Sequence, residues 1–214
     1  MHLIASRRAL LLAAASATLL TACGGDAAKG AGVTADDITL GAANAPVHVV
    51  EYASATCPHC AEFHESNWEI LKREYIDAGK VKFTLREFAT APPQIAVAGF
   101  QVARCAGATP EEYYTRLGAI FSQQRAILGP QTMQGAEAAL VRIGQLSNLS
   151  PDEVRACIRD AAGTERVQAI MDDAQTRGVD STPTFFVNNE KASDDFRTPD
   201  GMRRILDAAL ANGA

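Results

Sequence analysis

Between Val47 and Arg86 the hydrophobic period changes twice, and this double change restricts the fold more than any other feature of the chain. Val47-His48-Val49-Val50-Glu51-Tyr52-Ala53-Ser54 is rich in β-formers with apolar residues on both faces, the pattern of a strand covered on two sides. After a polar cluster and Pro58, Phe63, Ile70, Leu71 and Ala78 recur at helical spacing, and Gly79 supplies a helix stop. From Lys80 the period becomes two, with Val81, Phe83 and Leu85 on one side and Lys82, Thr84 and Arg86 on the other. Strand, helix, strand is a βαβ unit, so the two strands run parallel and the crossover is right-handed.

The rest of the chain builds on that unit. Residues 92–178 show no strand pattern, and their helix starts are legible. Thr109-Pro110-Glu111-Glu112 and Ser150-Pro151-Asp152-Glu153 are capping boxes with proline at the first helical position. Tyr113 to Gln124, Gln131 to Gln145 and Thr164 to Thr176 carry apolar residues three and four apart. An all-helical insertion is expected here. Thr184-Phe185-Phe186-Val187 returns to strand character, Asn188-Asn189 suits a turn at positive φ, and a short partner strand is expected near Lys191. A last helix starts at Thr198-Pro199 with Met202, Ile205, Leu206 and Leu210 on its apolar side. The predicted class is α/β, a split domain over 37–214 with helices inserted about 92–178.

A chain of 214 residues buries roughly 70% of its accessible surface on folding, enough for a real core. With 47% apolar and 21% charged residues it is neither disordered nor collagen-like. The net charge of -5 argues against a nucleic-acid partner. Arg7 and Arg8 precede an apolar stretch from Ala9 to Ala22, the grammar of an export signal over 1–22. Leu20-Thr21-Ala22-Cys23-Gly24 is similar to the bacterial lipobox, which makes Cys23 the expected lipidation site; a plain secretory signal cut nearby is the alternative. Residues 23–36 are small and polar and read as a flexible tether, with a root-mean-square span of roughly 20 Å and a stretched limit near ~45 Å. The expected address is the bacterial cell envelope, on the periplasmic side of a membrane.

Five cysteines then need jobs. Cys57-Pro58-His59-Cys60 stands where the first strand hands over to the first helix. Such a pair serves redox exchange, metal binding or structural bridging. Zinc needs two further ligands at comparable spacing, and Cys105 and Cys157 each stand alone, so no metal is expected. At a helix N-terminus Cys57 faces unsatisfied N–H groups and the positive end of the helix dipole, with His59 adding a donor or a charge. If its pKa falls to about 4, the reduced form gains on the order of 4 kcal/mol at neutral pH, which raises the potential by roughly 90 mV. Cys60, one turn inside the helix, is the shielded resolving partner. Glu51 lies six residues before Cys57 on the doubly covered strand. It is either a buried acid that relays the proton of Cys60 or a strand-end acid that reaches water. Thr182-Pro183 opens the third strand, either as an edge-strand start or as a cis bond.

Glu51-x5-Cys57-Pro58-His59-Cys60, the helical insertion, and Thr182-Pro183-Thr184-Phe185-Phe186-Val187-Asn188 together resemble the DsbA family of thioredoxin-fold bacterial disulfide oxidoreductases, over about Val47 to Ala211. The resemblance implies a thioredoxin fold and a protein-disulfide oxidase whose site is Cys57, Cys60, His59, Glu51 and Pro183. Thr182-Pro183 becomes a cis-proline loop that faces Cys57 and pairs with extended substrate. It implies no cofactor beyond the Cys57–Cys60 disulfide, reduced envelope proteins as substrates, and a membrane quinone-linked oxidase as the reoxidising partner. It also implies a second, structural disulfide between Cys105 and Cys157, against the alternative of two buried thiols. Closing that 52-residue separation stabilises by roughly 4 kcal/mol in the chain-entropy model. The best-known oxidases carry Val before the cis-proline, whereas Thr182 is similar to the isomerase and reductase branches. Isomerase or reductase is therefore the alternative activity, and a non-catalytic metal- or partner-binding lipoprotein the alternative of another class.

Overall fold

The computed structural model describes residue 34 and residues 36–212. The expected signal peptide, Cys23 and nearly all of the tether lie outside the described residues.

Five strands form one sheet in the order β1-β3-β2-β4-β5: β1 Thr39–Leu40, β2 Val47–Ala53, β3 Val81–Glu87, β4 Thr184–Val187 and β5 Glu190–Lys191. β2 and β3 are parallel, with Val47 opposite Val81 and Ala53 opposite Glu87. β4 lies antiparallel on the other side of β2, and β5 antiparallel to β4. Asn188 and Asn189 turn that hairpin at φ 47 and 72, the positive region their side chains tolerate. β1 pairs antiparallel with β3, Thr39 opposite Thr84. Two residues are too few to carry a periodic signal, so the sequence does not announce this edge strand.

The crossover helix α1 spans Pro58–Leu71. Where the sequence predicts one helix as far as Ala78, the structure instead has a π-helical turn at Lys72–Ile76 and then Gly79 at φ +70. Tyr75 and Ile76 of that turn are both buried in the core.

Six helices fill the interval between β3 and β4: α2 Pro93–Arg104, α3 Pro110–Ser122, α4 Gln124–Leu128, α5 Met133–Leu146, α6 Pro151–Ile158 and α7 Ala161–Thr176. Both capping boxes form, Thr109 with Glu112 and Ser150 with Glu153, because each hydroxyl takes an orphan N–H of its first turn. The final helix, α8, spans Pro199–Asn212. Among the described residues no helix is long and apolar enough to cross a membrane.

The polar edge of β3, predicted as an alternating face, is covered too. Arg86 is buried against Asp37, whose carboxylate takes its Nη2 at 2.8 Å and its Nε at 3.1 Å, and its Nη1 donates to the Tyr52 hydroxyl at 2.9 Å. Because β1 runs antiparallel to β3, the N-terminal strand enters from the end of the sheet that carries Arg86 and Glu87. Ala53, opposite Glu87, leads from that same end into the Cys57 loop.

Candidate active site

β2 ends at Ala53, and the chain turns through Ser54-Ala55-Thr56 before Cys57 takes the N-cap position of α1, φ -82 and ψ 120, with Pro58 at the first helical position. The turn is fastened on three sides. Cys57 N–H donates to the Ser54 carbonyl at 3.1 Å. Thr56 Oγ1 donates to the Thr90 carbonyl, and Thr90 N–H donates to Ser54 Oγ. From α4, the amide of Gln124 donates to the carbonyls of both Ala55 and Cys57, each at 3.0 Å. α2 closes the fourth side through Gly99, where a Cβ would stand 2.9 Å from that of Ala55, so the helix approaches only because the side chain is missing. Gln124 was invisible in the sequence, since nothing local marks an amide that bonds a loop 67 residues away.

Cys57 and Cys60 are both free thiols here, 7% and 0% exposed. The Cys57 thiol is lowered to about 5, first by the hydrogen bond from Cys60, with burial opposing and the Thr182 side chain and the backbone N–H groups of Cys60 and His59 assisting. As a thiol, Cys57 donates to the Thr182 carbonyl at 3.3 Å. The Thr182 hydroxyl, buried and without a hydrogen-bond partner among the described residues, is the side chain that assists the Cys57 thiolate. Cys60 is driven the other way: burial raises it well above the ordinary thiol range, and Cys57 and the charge of Glu51 add to that. Neighbouring sulfurs thus have opposite preferences.

Thr182-Pro183 is a cis peptide, and the loop lies against Cys57. Arg197 donates to the Pro183 carbonyl at 3.1 Å, and Asn67 of α1 donates to the Arg197 carbonyl at 3.0 Å, which ties the loop to the helix that carries the cysteines. Ala91-Pro92 is a second cis bond, which the sequence reading did not foresee. The His59 imidazole points away from the sulfurs, its Nδ1 2.9 Å from Glu62 Oε2 on the exposed side of α1. What His59 gives Cys57 is its backbone N–H.

Glu51 is completely buried, which excludes the reading of a strand-end acid reaching water. Its Oε2 lies 2.9 Å from Nε2 of His64, and its Oε1 has no hydrogen-bond partner among the described residues. His64, one turn after Cys60, is not among the site residues expected from the sequence. The signal that could have found it is its i+4 placement behind Cys60, on the helix face that meets β2. The ring stacks on Phe121 at 4.3 Å and on Trp68 at 5.3 Å. Among the described residues no group of three or more His, Cys, Asp or Glu is placed to hold a metal. Cys105 and Cys157 are far from this chemistry in the chain and are joined in a disulfide, not two separate thiols.

The family model described as Thioredoxin matches residues 33–208. A protein of Rickettsia typhi named "Putative protein-disulfide oxidoreductase" is 33% identical over 181 residues, covering 82% of this chain and 62% of its own. Its counterpart in Rickettsia conorii is 35% identical over 164 residues, covering 72% and 53%. The chain therefore spans less than two thirds of the length of these curated relatives. The crystal structure of Wolbachia pipientis alpha-DsbA1 superposes with a TM-score of 0.75 at 25% identity, over 85% of this chain and 94% of that one.

Proposed function

The chain belongs to the thioredoxin family, and on that premise we propose that it is a protein-disulfide oxidoreductase of the DsbA type, working as an oxidase through Cys57 and Cys60. One observation carries the direction of the reaction: the Cys57 sulfur is lowered to about 5 at the helix start while its neighbour is held protonated. At pH 7 a thiolate so favoured stabilises the dithiol form by about 3 kcal/mol, equivalent to roughly 60 mV, and the disulfide is correspondingly ready to be given away.

In the proposed cycle a substrate thiolate attacks the Cys57 sulfur of the Cys57–Cys60 disulfide. The electron pair of the broken bond goes to Cys60, which takes a proton. A second substrate thiolate then attacks the substrate sulfur of the mixed disulfide, and Cys57 leaves as a thiolate. Two electrons move from substrate to enzyme, one proton stays on Cys60, and the other is released. Thr182 and Pro183 are assigned to hold the extended substrate beside Cys57, in the manner of strand addition. Substrates are reduced proteins of the bacterial envelope, and reoxidation is assigned to a membrane quinone-linked thiol oxidase. Lipidation at Cys23 and a periplasmic address complete the proposal.

The test is a titration of thiolate absorbance in the ultraviolet together with the equilibrium potential against glutathione. The expected midpoint is near 5 and the expected potential is roughly 60 mV or more above the about -270 mV of thioredoxin. A midpoint above 8 removes the oxidase reading. A potential near about -270 mV, with reshuffling of scrambled ribonuclease, turns it into a reductase or isomerase.

A further inference from the structure

Disulfide exchange at a buried second cysteine needs a route for one proton, and the following inference rests on that reading of the site. Cys60 is sealed from solvent, and so is Glu51, whose charge acts on it. A carboxyl with no exposed atom does not trade protons with water directly. Its Oε1 lacks a partner among the described residues, while its Oε2 is engaged by His64 Nε2 at 2.9 Å. His64 is 8% exposed and, with Glu65, Trp68, Phe121 and Gln124, lines an open groove between α1 and the α3–α4 corner. The rings of Phe121 and Trp68 stack on the imidazole, whose Nε2 meets the carboxyl while the residue itself lines that groove.

We propose that His64 is a positioning residue that carries the Cys60 proton between Glu51 and the α1–α3 groove. When the Cys57–Cys60 bond breaks, the proton passes from Glu51 to the Cys60 sulfur. The carboxylate so formed is refilled through Nε2 of His64, and Nδ1 takes the replacement proton from groove water. When Cys60 later attacks a mixed disulfide on Cys57, the same path runs outward. The charged and titratable groups around the ring are Glu51 from β2, Cys60, Glu62, Glu65 and Glu69 from α1, and Arg125 from α4; α3 presents the uncharged Gly118, Phe121 and Ser122. The carboxylates outnumber the single guanidinium, so the groove mouth favours a proton on its way in or out.

The experiment charges Cys57 with glutathione and follows resolution by Cys60 from pH 5 to 8, in the wild-type chain and in His64→Gln, which keeps a side-chain donor but does not titrate. The expected result is a loss of about ten- to a hundredfold at neutral pH, with one titration step missing from the profile, while the Cys57 midpoint stays where it was. Resolution at the wild-type rate throughout overturns the relay. A Cys57 midpoint in the ordinary thiol range would instead defeat the oxidase reading, so the two failures are separable. Should His64→Gln not fold, the unaltered chain provides a second readout. Trp68 is its one tryptophan and stacks on His64, so its fluorescence follows the ring's protonation. The relay requires the fluorescence inflection to shift between disulfide and dithiol forms; the same inflection in both overturns it.

Discussion

Cys57 and Cys60 sit one helical turn apart in one polypeptide, yet their surroundings sort them into a leaving group and a buried reserve. The first has helix N–H groups, the Cys60 sulfur and Thr182 to hold its anion; the second has burial and a nearby carboxylate against its own. The difference has a consequence for folding. In the unfolded chain the Cys57 thiol titrates at about 8.5, and in the fold at about 5, so its contribution is complete above the higher value and disappears as pH falls through the lower. Chemical denaturation should show the dithiol form losing about 2 kcal/mol relative to the disulfide form between pH 7 and pH 5. Parallel pH dependences of the two forms would contradict this. Both cysteines and Glu51 were legible because each is a residue type with few reasons to stand where it does. His64 and Gln124 were not, since their meaning lies in partners that only folding brings near.

Elements differ in how much of themselves they announce. α3 and α6 are written in their first four residues, Thr109-Pro110-Glu111-Glu112 and Ser150-Pro151-Asp152-Glu153, because a capping box is satisfied locally. β1 is the opposite case. It holds its place through Asp37, whose pairing with Arg86 is buried on both sides at 2% exposure, and through the Ile38 carbonyl, which accepts from Tyr114 at 2.8 Å. Removing one member of a buried pair leaves the other charge without compensation, at a cost of several kcal/mol. Asp37→Ala is expected to destabilise by about 3 kcal/mol or more in urea denaturation, with the Cys57 midpoint unmoved. A loss under about 1 kcal/mol would mean that the remaining partners of Arg86, Tyr52 and Asp173 among them, suffice for its charge.

At the scale of the molecule, a thioredoxin fold carries an inserted all-helical subdomain that serves as one wall of the site. The insertion is fixed to the sheet at Glu87, where Oε1 accepts from Arg104 at 2.6 Å and from the Tyr113 hydroxyl at 3.0 Å, and Oε2 pairs with Arg166 at 3.6 Å. It is fixed to itself by the Cys105–Cys157 disulfide, which joins the C-cap of α2 to α6. Replacing both with Ser is expected to lower stability by about 2–4 kcal/mol and to leave thiolate titration and disulfide exchange unchanged; altered exchange would show that the bridge reaches the active centre. From the sequence alone came the βαβ frame, the helical insertion and the cysteine pair at a helix start, because hydrophobic period, caps and motif spacing are properties of neighbours along the chain. The tertiary structure decided the buried partner of Glu51, the amide that holds the Cys57 loop and the salt bridge under β1. Each of these joins residues far apart in sequence, and a polar group that must be satisfied in the interior takes whichever partner packing delivers.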